Sequence, residues 1–276
     1  PNKDGTLSAK GCIFCNEDAF TNFPNTDLSL RDQISHSIDS FKKKYKAEKF
    51  IAYFQNSSGT HGEIPALKAA YDTILDFPEI VGLSISTRPD CVDHAKLDLI
   101  AEYNGRYDVW AEYGVQSAHD DTLKRINRSH TFMQFRDAVS MTSSKGIKTA
   151  AHVMLGLPGE SREDMIKTAE VLSAMPISAV KMHILHVLRG TGLHSDYERG
   201  AVKLLEADEY VRLVCDFLEH LRPDIVIMRL VSNAREDVLV APAWINQKHE
   251  ILRKIGDEFK NRGTRQGVKY GKKDQG

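Results

Sequence analysis

The sequence predicts an α/β fold built on a parallel sheet, and three observations carry that prediction. Apolar runs of strand length recur along the chain, helical patterns of ten or more residues separate them, and 276 residues can bury one sizeable core. A single α/β barrel of this length is ordinary. Neighbouring parallel strands need a long crossover and the crossover is right-handed, so the alternation implies successive βαβ units.

Taken in order, the first strand is expected at 50–54, where Phe50, Ile51, Tyr53 and Phe54 supply β-branched and aromatic side chains. Strands follow at 81–85, 107–111, 149–155, 179–184 and 225–228, each a short apolar run. Between them, apolar residues at helical spacing predict helices at 64–75, 92–103, 132–144, 162–174 and 207–221. A boundary is expected near Asn233, giving a core domain at 1–232. Residues 233–276 then form a C-terminal helical extension, with an amphipathic helix at about 243–261 and a polar, Gly-rich, basic tail. No repeat or low-complexity tract interrupts this plan.

Charged residues make up 27% of the chain and the net charge is −1, a balance that excludes neither an RNA nor a small-molecule partner. No apolar run approaches the about 18 residues needed to span a membrane, and no signal-peptide pattern is seen, although the chain is not expected to begin at its native start. Four cysteines in this length speak against a secreted disulfide scaffold and for a reducing cytoplasm. Cys91 and Cys215 are isolated and read as small core residues.

The other two cysteines stand in Gly11-Cys12-Ile13-Phe14-Cys15. A Cys-x-x-Cys pair places two thiols one tight turn apart, where they can converge on one metal centre or act as a redox dithiol. Parallel sheets place their chemistry at the C-terminal strand ends. Those ends carry Gln55-Asn56-Ser57-Ser58-Gly59-Thr60, Ser86-Thr87-Arg88-Pro89-Asp90, Glu112-Tyr113-Gly114-Val115-Gln116-Ser117 and Gly156-Leu157-Pro158-Gly159-Glu160. Singly each is weak: a Gly-Leu-Pro-Gly turn is most often a plain connection, an Arg after a helix a solvated charge, and a His in an apolar strand a satisfied core residue.

Their joint order resembles the radical S-adenosylmethionine (SAM) superfamily, within it the Elongator and coproporphyrinogen oxidase branch, and most of all the YhcC/YtqA-like group. The matching features are Pro-Asn-x-Asp-Gly before Gly-Cys-x-Phe-Cys (1–15), Ser-Thr-Arg-Pro-Asp (86–90), Glu-Tyr-Gly-Val-Gln-Ser (112–117) and Gly-Leu-Pro-Gly-Glu (156–160). His-Val-Leu-x-Gly-Thr (186–191) and the Pro-Ala-Trp … Arg-Gly-Thr-x-Gln-Gly ending (242–267) complete the set, which covers essentially the whole chain.

The resemblance implies a partial (β/α)6 TIM-like barrel and a [4Fe-4S] cluster held by three cysteines, with SAM on the fourth iron. Cys12 and Cys15 match the second and third ligands; the first is expected immediately before Pro1, and the first barrel strand upstream as well, so the chain as given is not expected to hold a stable cluster by itself. Phe14 matches the aromatic near the adenine. Asn56, Ser57 and Ser58 stand where relatives carry the glycine-rich stretch that receives the SAM amino group. Gln116 and Arg128 match polar residues that contact SAM, an Arg fork suiting the methionine carboxylate. His152 replaces an acidic residue facing the ribose, Ser86 replaces a Glu, and Leu188 matches a backbone contact to adenine. The implied partners are SAM, an external electron donor and an unidentified substrate, with tRNA a candidate because the Elongator relatives act on it.

Two alternatives remain. An RNA-binding scaffold would use the basic tail at 253–273, where Arg253, Lys254, Lys260, Arg262, Arg265, Lys269, Lys272 and Lys273 outnumber Asp257 and Glu258. A dithiol redox protein would use Cys12 and Cys15, and requires a helix starting right after Cys12 and a lowered thiol pKa.

Overall fold

The computed structural model describes residues 11–16, 28–55 and 58–271. Six strands form one sheet: β1 (Phe50–Phe54), β2 (Ile80–Thr87), β3 (Asp108–Gln116), β4 (Lys148–Leu155), β5 (Ala179–Ile184) and β7 (Val226–Arg229), in that spatial order. Every neighbouring pair is parallel. The crossovers are α2 (Ile64–Asp72), α3 (His94–Ala101), α5 (Phe132–Ser144), α6 (Arg162–Ser173) and α8 (Ala207–His220). A two-stranded antiparallel ribbon pairs β6 (Val187–Leu188) with β8 (Leu239–Ala241). Helices α1 (Leu30–Tyr45), α4 (Asp120–Arg125) and α7 (Gly192–Glu198) precede β1, follow β3 and follow β6 respectively, and α9 (Lys248–Arg262) follows β8.

The sheet is curled into an open half-barrel, as contacts across it demonstrate. Tyr53 on β1 and Lys181 on β5 are four strand intervals apart, about 19 Å in a flat sheet. Their Oη and Nζ atoms nevertheless lie 3.0 Å apart. Side-chain alternation then sorts the strands into two faces. The outward set, including Leu83, Val109, Tyr113, Val153, Val180 and Ile184, joins one buried cluster with helix residues such as Leu97, Phe135, Leu172 and Phe217. Each such side chain contributes about 1.5–3 kcal/mol on burial. The inward set is different. Trp110, Ala150 and Ala179 form a small apolar cluster near the strand starts, and beyond them the lumen turns polar.

Local chemistry sets the helix ends. The Asp93 carboxylate accepts from Lys96 N at 2.9 Å, so α3 begins at His94 instead of the expected 92. Thr131 with Gln134 and Ser161 with Asp164 form capping boxes that start α5 and α6. The helix expected at 64–75 ends at Asp72 and tightens into a 3₁₀ turn to Asp76. The one expected at 243–261 is two pieces, a 3₁₀ turn at Ala243–Asn246 and then α9. Ile251 and Ile255 of α9 are buried in the main core. Arg262 ties α9 to α8 through Asp216 at 2.7 Å and Glu219 at 3.4 Å. Among the described residues no helix is long and apolar enough to cross a membrane.

Candidate functional site

The cysteine loop is clamped over the C-terminal mouth of the half-barrel. Ile13 N donates to Ile126 O at 3.1 Å, Leu193 N donates to Ile13 O at 2.8 Å, and Asn127 Nδ2 donates to Gly11 O at 2.6 Å. Residues 12–15 form a tight turn closed by Cys15 N on Cys12 O at 3.1 Å. Cys12 is buried and Cys15 half-buried. A hydrogen bond from the Cys15 thiol, reinforced by the nearby Arg128 charge, holds the Cys12 thiol well below its ordinary value against burial, while the same bond and burial push Cys15 up. Ile13 and Phe14 pack on the cluster formed by Leu123, Ile126, Met154, Leu157, Leu185 and Leu193. The described residues 11–16 form this turn and start no helix, which removes the helix that a dithiol redox protein requires.

Arg128 links this loop to the sheet. Its Nη1 lies 3.5 Å from Cys12 Sγ, while Nε and Nη2 donate to Gly114 O at 3.1 and 2.6 Å. Glycine leaves the room it occupies: a Cβ on Gly114 would stand 2.5 Å from Arg128 Nη2 and 2.8 Å from Gln116 Nε2, so both side-chain ends would have to shift. Behind it, buried Arg88 donates to Arg128 O at 2.8 Å and pairs with Asp90 at 2.7 Å, so the Ser-Thr-Arg-Pro-Asp motif braces the Arg128 loop. His130 Nε2 accepts from Arg128 Nε at 3.0 Å; burial and the two guanidiniums hold its pKa down to about 3, which keeps it neutral.

Below this mouth lies a charged layer that motif reading missed. Glu112 Oε2 accepts from His152 Nε2 at 2.6 Å, Lys181 Nζ at 2.9 Å and Tyr53 Oη at 3.1 Å, and Oε1 accepts from Ser84 Oγ at 2.5 Å. Burial alone would raise the Glu112 pKa, but the His152 hydrogen bond and the His152 and Lys181 charges outweigh it and leave a carboxylate far below the usual range. Burial lowers the pKa of His152 and of Lys181, each partly countered by Glu112. His183 stacks 5.3 Å from His152, and Arg229 ends β7 against it. The signal was available: Glu112 and Lys181 interrupt apolar strands, and buried charges are rare unless paired.

The predicted site residues fall into two groups. Cys12, Cys15, Phe14, Gln116 and Arg128 gather at the mouth. Gln116 closes β3 at a register shift with φ of 71°, a conformation uncommon for a non-glycine residue. His152 sits lower, within β4 and level with Gly114. Ser58 is buried in the loop after β1, which Gly59 N ties to Ser86 O at 2.8 Å. Leu188 is buried in β6, its carbonyl accepting from Thr191 Oγ1 at 2.8 Å. Asn56 and Ser57 lie outside the described residues.

A cluster is tested by the donors present. Among the described residues no group of three or more His, Cys, Asp and Glu could hold a metal ion. Cys12 and Cys15 nevertheless suit two corners of an iron–sulfur cluster: they are one turn apart, one is biased toward thiolate, and a cation stands beside it. The described thiols thus fit the group in part, two ligands of three.

Comparison with known proteins agrees with this geometry. The radical SAM superfamily profile matches residues 9–172, and the radical SAM C-terminal domain profile matches residues 177–261. A Methanocaldococcus jannaschii protein is 41% identical over 266 residues, covering 94% of this chain and 82% of its own. YtqA of Bacillus subtilis is 36% identical over 268 residues, covering 97% and 83%, and Elongator complex protein 3 of Saccharomyces cerevisiae is 29% identical over 207 residues, covering 69% and 36%. Among solved structures, the Elp3 of Methanocaldococcus infernus superposes with a TM-score of 0.73 at 19% identity, covering 86% of this chain and 60% of that one, a likeness of fold. On family match, identity and half-barrel together, the chain belongs to the radical SAM superfamily and is one of its enzymes.

Proposed function

We propose that Cys12 and Cys15 hold two irons of a [4Fe-4S] cluster, the third thiolate coming from outside the described residues, and that SAM binds over the mouth of the half-barrel. The observation that carries this is the placing of both thiols, with Arg128 beside Cys12, at the C-terminal ends of the strands. When bound, the cluster and SAM supply a one-electron reductive cleavage of the sulfonium, giving methionine and a 5′-deoxyadenosyl radical. An external electron donor is required.

The chain's own residues bind, orient and exclude water. Arg128 fixes the Cys12 loop to β3 and keeps a guanidinium where a methionine carboxylate can dock. Gln116, Ser58, Ser86 and His152 offer polar groups along the mouth and upper lumen, with Asn56 and Ser57 assigned to the SAM amino group. Phe14 and the Leu188 backbone flank the adenine position. The Glu112 layer closes the lumen below with paired groups and helps to keep bulk water from the site.

A tRNA substrate is supported by the similarity to Elongator complex protein 3. The C-terminal cations lend it little. Arg253, Lys254, Arg262 and Lys269 are each matched to a carboxylate, at 3.2, 2.9, 2.7 and 2.5 Å. A gel-shift titration with total tRNA across a salt series tests this: binding that steepens at low salt in proportion to several phosphate contacts supports tRNA, and no shift at low salt removes it.

The cluster assignment is tested by anaerobic reconstitution of the full-length protein. Cys12→Ala and Cys15→Ala are each expected to abolish iron loading and the broad cluster absorbance. Iron content equal to wild type in either variant overturns the assignment.

A further inference from the structure

The lumen carries one more cation than its described carboxylates neutralise. Glu112 supplies one negative charge and Lys181 answers it at 2.9 Å. Arg229 stands in the same register row, opposite Lys181, which itself pairs with His152. Its guanidinium is half-buried. Nε donates to Met182 O at 3.3 Å, and Nη2 lies 2.6 Å from His183 Nδ1. Nη1 has no partner among the described residues, and no described carboxylate pairs with the group. His183 adds no second positive charge beside it, because burial and the Arg229 charge hold its pKa well below its ordinary value and keep the ring neutral.

A guanidinium partly withdrawn from water is well matched by a carboxylate or a phosphate, and the planar fork suits either. The fork sits at the end of β7, three strands along the sheet from β3, where Arg128 covers Gly114. The half-barrel therefore has two separate cationic positions. The one beside Cys12 belongs to the proposed SAM site; the one on β7 has no assigned ligand.

We propose that Arg229, backed by His183, receives an anionic group of the substrate, a carboxylate or a phosphate, inside the half-barrel on the wall formed by β5 and β7. This rests on the radical SAM assignment for the identity of the site, and it makes Arg229 a specificity-determining residue. The second anion would be held by Nη1 together with Nη2, with the neutral His183 ring keeping the fork in place. Substrates lacking an anion would leave the guanidinium uncompensated and bind poorly.

The purified full-length protein is titrated calorimetrically with inorganic phosphate and, separately, with succinate, at low ionic strength. Saturable binding of one of them, weakened tenfold or more in Arg229→Gln, is expected, and which probe binds distinguishes phosphate from carboxylate. Because Arg229→Gln could lose its fold, the wild-type protein is also treated with phenylglyoxal with and without the probe, and modified peptides are mapped by mass spectrometry. Protection of Arg229 by the probe supports the site. Binding by neither probe, unchanged affinity in a folded Arg229→Gln, or protection falling on other arginines only would overturn it. SAM cleavage by the reconstituted wild type is scored separately, so loss of the anion site and loss of the radical assignment give different results.

Discussion

Replacing Glu112 should be among the most damaging single changes in the lumen, for reasons that can be worked through. Its side chain is 5% exposed and accepts from Ser84, His152, Tyr53 and Lys181. Glu112→Gln keeps the shape but removes the negative charge, and with it the only carboxylate partner of the Lys181 ammonium among the described residues. Breaking a buried pair by removing one partner costs about 3–5 kcal/mol. Replacing both partners, as in Glu112→Gln with Lys181→Met, removes the orphaned charge, so the double variant should be less destabilised than the sum of the singles, with a coupling of about 1–3 kcal/mol. Guanidinium unfolding at pH 7 of wild type, both singles and the double measures this. The pH dependence follows in sign. The folded Glu112 pKa lies below its ordinary 4.5, so between the two values the unfolded chain binds more protons. Its contribution is complete above about pH 4.5 and is lost as pH falls through the folded value. Glu112→Gln should flatten the acid limb of stability by up to about 1.4 kcal/mol per pH unit. Stability of Glu112→Gln within about 0.5 kcal/mol of wild type, or strict additivity in the cycle, would refute the reasoning.

Other outcomes follow from the same contacts. Arg128→Ala should weaken SAM binding about tenfold or more with iron content near wild type, since a guanidinium–carboxylate fork is worth about 1.5–3 kcal/mol; equal affinities by calorimetry would return Arg128 to a bracing role alone. Gly114→Ala should displace Arg128 and Gln116, whose side-chain ends lie 2.5 and 2.8 Å from the new Cβ. It should lower SAM affinity more than melting temperature, and unchanged affinity would show that the fork can move freely. Asp216→Asn removes the anion that Arg162 and Arg262 share at 2.6 and 2.7 Å. It should destabilise by about 1–2 kcal/mol, because Arg162 is half exposed and Arg262 keeps Glu219 and Glu258, with faster amide exchange in α9, and exchange unaltered there would mean that α9 is held by its apolar face alone.

The strands were legible because they are apolar runs against a uniform helical background. β1 and β5 fall on the expected residues and α5 does too, since Thr131 marks its start in the sequence. α1 was not read from the sequence although Leu30, Ile34, Ile38, Phe41 and Tyr45 recur at helical spacing and offered the signal; of its sixteen residues only Ile38 is buried. β6 and β8, two and three residues long, make a ribbon through a pairing that spans some fifty residues and leaves no local pattern. Motif order singled out the cysteine loop and Arg128, which the fold brings to within 3.5 Å of each other. It did not single out the Tyr53–Glu112–Lys181 network, because three residues from three strands meet only through the curl of the sheet. Arg229 was missed for the same reason: next to Met228 it resembles an ordinary strand-end charge, and only register places it beside Lys181.

Release of 5′-deoxyadenosine tests the central claim most directly. The full-length protein is reconstituted anaerobically with iron and sulfide, then given SAM and a strong one-electron reductant, and the products are separated by chromatography and identified by mass. The account predicts a cluster-bearing protein that forms 5′-deoxyadenosine and methionine in equal amounts, with none formed by Cys12→Ala or without reductant. A fully reconstituted protein that leaves SAM intact, or wild-type and Cys12→Ala proteins that behave alike, would contradict it.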